Sequence, residues 1–187
     1  MKNVKPTLVL LIICIVVSAL LAAVNHFTAS SALTDPAEII AQMSPEYEKI
    51  FPGESYELIY RSEEYGSDRR GVPVEAVMCA SGYIITTHSS GQYDSSPIVT
   101  MVGIDLEGKV VKARILSMNE TPGMGSKINS EKFLSQFDLG SGFSLDGSSG
   151  TKIDVVSGAT KSSTAFMKAV NIALAEFKNI TGGDQGE

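Results

Sequence analysis

The chain has 187 residues, 43% of them hydrophobic, with 15 Lys and Arg against 21 Asp and Glu and a net charge of −6. That length holds one membrane segment and one domain with an ordinary core, and leaves no room for a second full domain. An acidic balance without a basic block excludes nucleic acid as the partner, and 2 Cys with 2 His make neither an iron–sulfur cluster nor a zinc site, so no metal ligands are expected.

Leu8 to Val24 carries no charge and almost no polarity, whereas Lys2, Lys5 and the amino terminus place positive charge ahead of it. At ~1.5 Å per residue the run approaches the ~30 Å of a hydrocarbon core. The positive-inside rule keeps residues 1–7 in the cytoplasm, makes 8–27 a single-pass anchor in the cell (inner) membrane and delivers the rest outside. A cleaved signal peptide, with Ser30-Ser31-Ala32 as its processing site, is the competing reading; the uncharged run exceeds the ~7–15 residues of a signal-peptide core and favours the retained anchor. His26 and Phe27 then fall at the outer interface. All 21 acidic residues follow the run, as do all Lys and Arg except Lys2 and Lys5, so the exported part carries about −8. Cys14 lies inside the anchor and Cys79 beyond it, so no disulfide joins them; Cys79 falls in the alternating stretch Val74 to Ala80 and reads as a small buried hydrophobe.

Residues 28–55 read as a linker with one or two short helices between Asp35 and Ile50, interrupted near Ser44-Pro45. Residues 56–180 form the domain. Strands are predicted over Tyr56–Arg61, Val74–Ala80, Tyr83–His88, Ile98–Leu106 and Val110–Met118, punctuated by Gly71, Gly82, Gly91 and Gly108. Asp105 to Lys109 is a hairpin turn in which Gly108 supplies positive φ. Glu120-Thr121-Pro122-Gly123-Met124-Gly125 leaves the last strand as a tight turn, Glu131 to Phe137 reads as a short helix, and Gly140 to Gly150 as a loop. The pattern is α+β: an antiparallel sheet with flanking helices, ending in a flexible tail at 181–187. The short Gly-Ser stretches, Ser89-Ser90-Gly91 among them, are surface loops. Ser149-Gly150-Thr151-Lys152 lacks the earlier glycine and the following helix of a phosphate-binding loop, and no GxGxxG follows a strand, so neither a triphosphate nor a dinucleotide site is expected.

After the loop stands Asp154-Val155-Val156-Ser157-Gly158-Ala159-Thr160, running into Lys161-Ser162-Ser163-Thr164. Phe166, Val170, Leu174 and Phe177 then fall at three- and four-residue steps, which predicts a helix with one packed face to about Phe177. Ser157, Thr160 or Ser162 can serve as its N-cap. Equally, a helix start offers free N–H groups and partial positive charge to an anionic group on Thr160, with Gly158 and Ala159 adding no bulk.

The stretch from Asp154 to Thr160 resembles the Asp-x-x-Ser-Gly-Ala-Thr flavinylation motif of FMN-binding domains in membrane electron-transport complexes, and Glu120 to Gly125 resembles the Glu-Thr-Pro-Gly-Leu-Gly turn that lies against the flavin there. Nearly the whole of Pro36 to Phe177 is similar to the G subunit of the Rnf complex. The resemblance implies that a flavin transferase uses FAD to attach FMN through a phosphodiester to Thr160, recognising Asp154, Gly158 and Ala159. It implies cofactor contacts from Glu120, Thr121, Gly123, Met124 and Gly125 and from Ser157, Gly158, Ala159, Lys161, Ser162 and Ser163. Glu120 and Thr121 would bond the ring's polar edge and Met124, standing for the usual Leu, would lie on its face. Lys161 departs from the neutral residue expected after the motif; it either supports the phosphate or points to solvent. No residue is expected to be catalytic: the chain would be an electron-relay subunit of an ion-translocating ferredoxin:NAD oxidoreductase, partnered by membrane, iron–sulfur and flavin subunits. The C subunit of the sodium-pumping NADH:quinone reductase, which shares both motifs, and an FMN-binding membrane redox sensor are the alternatives.

Overall fold

Alternating apolar residues separated by short Gly-containing turns fold most simply as strands joined in series by hairpins. In the computed structural model, β1 (Glu57–Arg61), β2 (Val72–Cys79), β3 (Gly82–Ser89), β4 (Ile98–Asp105) and β5 (Val110–Ser117) form one antiparallel sheet in that order. The structure describes residues 4–29, 35–89 and 97–182. Ser30 to Ala32, Ser90, Gly91 and positions 183–187 of the expected tail lie outside the described residues. β2 starts at Val72, two residues before the predicted Val74, and runs through Pro73. The register slips between Pro73 and Glu75, and such an irregularity is where a strand tolerates a residue with no N–H. At the β4–β5 turn, Asp105 Oδ1 accepts the N–H groups of Glu107 (3.0 Å) and Lys109 (2.8 Å) while Gly108 takes φ 81°.

The apolar stripe of α4 (Thr160–Gly182) covers one face of the sheet. Phe166, Val170 and Ala173 are fully buried together with Ala76, Ile85, Val102 and Ile104. Burying one such large side chain stabilises the fold by ~1.5–3 kcal/mol. Phe166 also sits 5.7 Å from Phe133 and 5.1 Å from Phe137 between ring centroids. Those two rings come from α3 (Glu131–Leu134) and the 3₁₀ turn Ser135–Phe137, so the segment after β5 is held against the start of α4. Thr87 Oγ1 donates to the Ala169 carbonyl at 3.3 Å, and Tyr60 Oη donates to Glu176 Oε1 at 2.9 Å. The helix continues past the predicted Phe177: Thr181 and Gly182 are helical, with Thr181 Oγ1 donating to the Phe177 carbonyl, so the tail does not begin at 181.

The other face of the sheet packs Tyr47, Ile50 and Phe51, and Gly103 leaves the space for this: a Cβ there would stand 2.1 Å from Ile50 Cγ2. Glu75 on this face is fully buried. Its carboxylate accepts from Tyr47 Oη (2.9 Å), Arg61 Nε (2.6 Å) and Thr86 Oγ1 (3.4 Å), and the Arg61 guanidinium lies 3.9 Å from the Tyr65 ring centroid. A buried charge requires this degree of satisfaction. Burial, then the Glu75 charge, drives the Tyr47 phenol well above its ordinary pKa.

His88 is also buried on this face, with Nδ1 3.1 Å from the Arg69 carbonyl. A carbonyl only accepts, so Nδ1 carries the hydrogen. Burial lowers the His88 pKa, outweighing the opposing pull of the Arg69 carbonyl and the charges of Glu64 and Asp68. An imidazole whose folded pKa lies below its unfolded value leaves stability unaffected while both states are neutral. As pH falls through ~6.5 the unfolded chain takes up the proton first and stability is lost. The melting temperature is therefore expected to fall between pH 7.5 and pH 5.5, and to fall less in His88→Gln; equal slopes for the two proteins would refute this assignment. Cys79 is buried, and desolvation pushes its thiol up to about 11.

The chain divides into two compact units, residues 1–42 and 43–187. In the first, α1 (Val4–Ala29) contains the predicted anchor, and its described side chains, 9–21, are exposed. That stretch rises about 20 Å at ~1.5 Å per residue. Among the described residues no helix is long and apolar enough to cross a membrane. Between Asp35 and Ile50 the sequence predicts a break near Ser44-Pro45, but α2 (Pro36–Tyr47) runs through Pro45 and ends two residues later. Pro45 has no N–H to give the carbonyl four residues back, so one helical bond is missing from the last turn. Glu48 to Ile50 then form a hydrogen-bonded turn, with Ile50 N–H on the Tyr47 carbonyl at 2.9 Å.

Candidate functional site

Both sequence motifs are built on the same kind of turn. Across Thr121–Met124, the Met124 N–H donates to the Thr121 carbonyl at 3.1 Å, with Pro122 second and Gly123 third at φ 75°. Across Val156–Ala159, the Ala159 N–H donates to the Val156 carbonyl at 2.8 Å, with Ser157 second and Gly158 third at φ 77°. Positive φ at the third residue alone is the requirement of a type II turn, which glycine meets without strain. The first turn is braced by Ser126, whose Oγ accepts the Gly123 N–H at 2.9 Å. The second leads directly into α4.

The start of α4 corrects the expected caps. Ser163 N–H donates to the Ala159 carbonyl at 2.8 Å, which makes Ala159, with no side chain to cap with, the residue before the first turn. Thr160 opens the helix with its side chain exposed. Ser163 instead faces inward: it is fully buried and its Oγ accepts the Val156 N–H at 3.1 Å, drawing the loop back onto the helix. Ser157 stays exposed.

A buried hydrogen bond joins the two motifs: Ser162 Oγ donates to Glu120 Oε2 at 2.7 Å, across 42 residues of sequence. Gly125 packs against this pair so closely that a Cβ would stand 2.2 Å from Glu120 Oε2 and 2.8 Å from Ser162 Oγ. Glu120 is thus turned to Ser162 through Oε2. It links the loops; it does not line the opening between them. That opening has a volume of about 270 Å³ and is walled on one side by Thr121, Met124 and Gly125 and on the other by Gly158 to Ser162. Thr160 and Lys161 stand at its rim and also border a second cavity of about 330 Å³, with Ser89 and Lys168. Of the residues expected to touch a cofactor, Thr121, Met124, Gly125, Gly158, Ala159, Lys161 and Ser162 line the first cavity. Glu120, Gly123, Ser157 and Ser163 do not. Met124 is 54% exposed, so its thioether is presented to whatever enters. The volume lies just below the ~300–1,000 Å³ usual for ligand pockets.

Asp154 lies on the same loop with its side chain exposed. Its backbone is gripped by Gln136, which sequence reasoning does not single out: a lone Gln in a short turn carries no periodicity and no motif. The parallel pairing of β6 (Phe143–Ser144) with β7 (Thr151–Lys152) is likewise hidden in the Gly-Ser loop, because two-residue strands have no pattern to read. A cleft of about 660 Å³ lies on the opposite face of the sheet beside Tyr65, His88 and Arg114 and involves neither motif. Among the described residues no cluster of His, Cys, Asp or Glu could hold a metal ion.

Residues 94–175, which contain both motifs, match the FMN-binding domain family. The G subunit of the proton-translocating ferredoxin:NAD(+) oxidoreductase complex of Clostridium ljungdahlii is 32% identical over 105 residues, covering 54% of this chain and 56% of that protein. The G subunit of the ion-translocating oxidoreductase complex is 38% identical over 90 residues in Shewanella loihica and 39% identical over 90 residues in Shewanella baltica. These two matches cover 43% and 44% of this chain and 42% of each relative. The chain spans about half the length of the curated relatives it matches. With an FMN-binding domain match that takes in both motif turns, and with each of these relatives a G subunit, residues 94–175 are similar to FMN-binding domains and the chain is similar to the G subunits of ion-translocating oxidoreductase complexes.

Proposed function

We propose that this protein is a membrane-anchored electron-transfer subunit of an ion-translocating ferredoxin:NAD oxidoreductase complex, with FMN attached by a phosphodiester to Thr160. The observation that carries this reading is the meeting of the two motif turns at one cavity with the Thr160 side chain exposed at its rim. Bound there, FMN supplies electron uptake and release that no side chain can provide. The chain's own residues supply the rest. The first turn of α4 directs N–H groups and partial positive charge toward an anion on Thr160, and Lys161 adds a cation beside it. Met124 offers an apolar, polarisable contact for a ring face.

An unactivated hydroxyl is a weak nucleophile. In this reading an external flavin transferase takes the proton of Thr160 Oγ. In that step Thr160 Oγ forms a bond to the FMN-side phosphorus of FAD, the bond from that phosphorus to the AMP oxygen breaks, and AMP departs. The proton goes to the transferase. Ser157, Gly158 and Ala159 leave the hydroxyl open to a second protein, and Asp154 gives that protein a charge to recognise. The uncharged run within α1 is the proposed anchor, with the amino terminus in the cytoplasm and the FMN domain outside.

The test is to purify the protein from its own membranes and examine it on a denaturing gel. Flavin fluorescence travelling with this chain, and co-purification with cluster-bearing and membrane subunits, is the expected result. A colourless chain in cells that flavinylate other proteins would refute the covalent assignment, and a fluorescent chain bound only to a signalling partner would refute the relay. A further outcome concerns Met124→Ala: because the side chain is exposed, the unfolding free energy should change by less than about 0.5 kcal/mol, while the absorption maximum and fluorescence yield of the attached flavin shift. An unmoved spectrum would mean that Met124 does not touch the ring.

A further inference from the structure

Gln136 belongs to neither motif, yet its carboxamide makes two hydrogen bonds to the main chain of one motif residue. Asp154 N–H donates to Gln136 Oε1 at 2.8 Å, and Gln136 Nε2 donates to the Asp154 carbonyl at 3.1 Å. An N–H needs an acceptor and a carbonyl needs a donor, so this amide orientation alone satisfies both. One hydrogen bond fixes a distance; two to the same residue also fix the direction of its peptide planes. The neighbouring residue is held as firmly. Ile153 is buried, 2% exposed, and its N–H donates to the Ser144 carbonyl at 2.9 Å. Beyond Asp154, the Val156 N–H is held by Ser163 Oγ at 3.1 Å and the Ala159 N–H by the Val156 carbonyl at 2.8 Å. The backbone is therefore tied down at 153, 154, 156 and 159, while the side chains of Asp154 and Thr160 are both exposed.

Asp154 itself adds no side chain to the core. The tethering presents a carboxylate and a hydroxyl at a set separation on one rigid loop.

We propose that Gln136 is a positioning residue for the modification of Thr160. It acts through Asp154, holding that carboxylate in a fixed relation to the Thr160 hydroxyl so that the flavin transferase engages both at once. The proposal rests on the reading of Thr160 as the attachment site. Its physical basis is preorganisation: a loop already in its bound arrangement loses less conformational freedom when a partner closes on it. Gln136 is supplied by the turn after α3, and that turn is fixed by Phe133 and Phe137 in the core, so the clamp ties the recognition loop to the rigid body of the domain.

The test uses the full-length chain, prepared without flavin in detergent, with purified flavin transferase and FAD. The initial rate of adduct formation is measured against the concentration of this chain. Gln136→Ala should raise KM for the chain about tenfold with kcat within about twofold, and Gln136→Met, which keeps the length of the side chain and removes both bonds, should do the same if the alanine variant folds poorly. Asp154→Ala should raise KM at least as much. The double variant Asp154→Ala/Gln136→Ala should be no worse than Asp154→Ala alone, because a residue that works through another has nothing left to position.

Wild-type KM in Gln136→Met overturns the proposal. So does a further loss on adding Gln136→Ala to Asp154→Ala, which would show that the clamp only stabilises the loop. A wild-type chain that accepts no flavin overturns the Thr160 reading and this proposal together, whereas a labelled wild type with either of the first two results overturns this proposal alone.

Discussion

Thr160→Ala is expected to abolish the flavin adduct completely, seen as the loss from the intact mass of an increment equal to FMN less one water. The reason is chemical. A phosphodiester needs an oxygen on the protein, and alanine supplies none at a position where the loop, the cavity and the first turn of α4 converge. The substitution should do little else. Thr160 is exposed, alanine is the better helix former, and the carbonyl that accepts Thr164 Oγ1 at 2.8 Å belongs to the backbone and is unchanged. The variant should therefore melt within about 0.5 kcal/mol of the unmodified wild type. Thr160→Ser, which keeps the hydroxyl, should retain the adduct. An adduct that persists in Thr160→Ala would place the linkage on another hydroxyl. Ser157, exposed on the same turn, would be the next residue to replace. Buried Ser162 and Ser163 are poor candidates because their hydroxyls are engaged with Glu120 Oε2 and the Val156 N–H.

Gly125→Ala should be the most damaging small substitution at the site. Its Cβ would stand 2.2 Å from Glu120 Oε2, 2.8 Å from Ser162 Oγ and 2.9 Å from Glu120 Cβ. These atoms are not the free end of a mobile side chain: Glu120 is 8% exposed, Ser162 is 1% exposed, and they are bonded to each other. To admit a methyl group the pair must separate, leaving a buried acceptor without its donor. Overpacking costs ~1–3 kcal/mol and the lost buried hydrogen bond a further ~1–3 kcal/mol. Allowing for partial relaxation, about 2–4 kcal/mol is expected. For a chain of this size that is a fall in melting temperature of roughly 5–15 °C. Ser162→Ala should lose only the hydrogen bond and give the smaller part of that effect. Because this bond joins the two motif turns, Gly125→Ala should also lower the yield of adduct at Thr160 in the fraction that remains folded. Thermal unfolding of the flavin-free proteins decides the first claim and intact mass the second. A Gly125→Ala protein as stable as wild type would mean that the turns can move apart without penalty and that their junction is not the rigid base of the site.

The sequence carried the parts of this protein that repeat locally. The five strands lie within one or two residues of where alternation and glycine punctuation place them, because a side-chain period of two and a turn residue with positive φ are both local properties. The helix after Thr160 was legible for the same reason, as was the tight turn at Pro122-Gly123; the matching turn at Ser157-Gly158 was not. Thr160 itself was singled out by the order of small residues before a helix start and by a motif. What no local pattern could supply was direction. Ser162 and Ser163 are adjacent in sequence, yet the first turns to Glu120 and the second to the Val156 N–H. Glu120 bonds Ser162, and Gly125 leaves the space in which they meet. Gln136 and the β6–β7 pair had no signal at all, since single contacts between distant segments leave no period to count. These choices depend on which surfaces the packing of Phe133, Phe137 and Phe166 brings together, and that is a property of the assembled core. The sequence by itself determined the elements and the residue proposed to carry the flavin; the tertiary structure decided which neighbouring side chains face the cavity and which hold its walls in place.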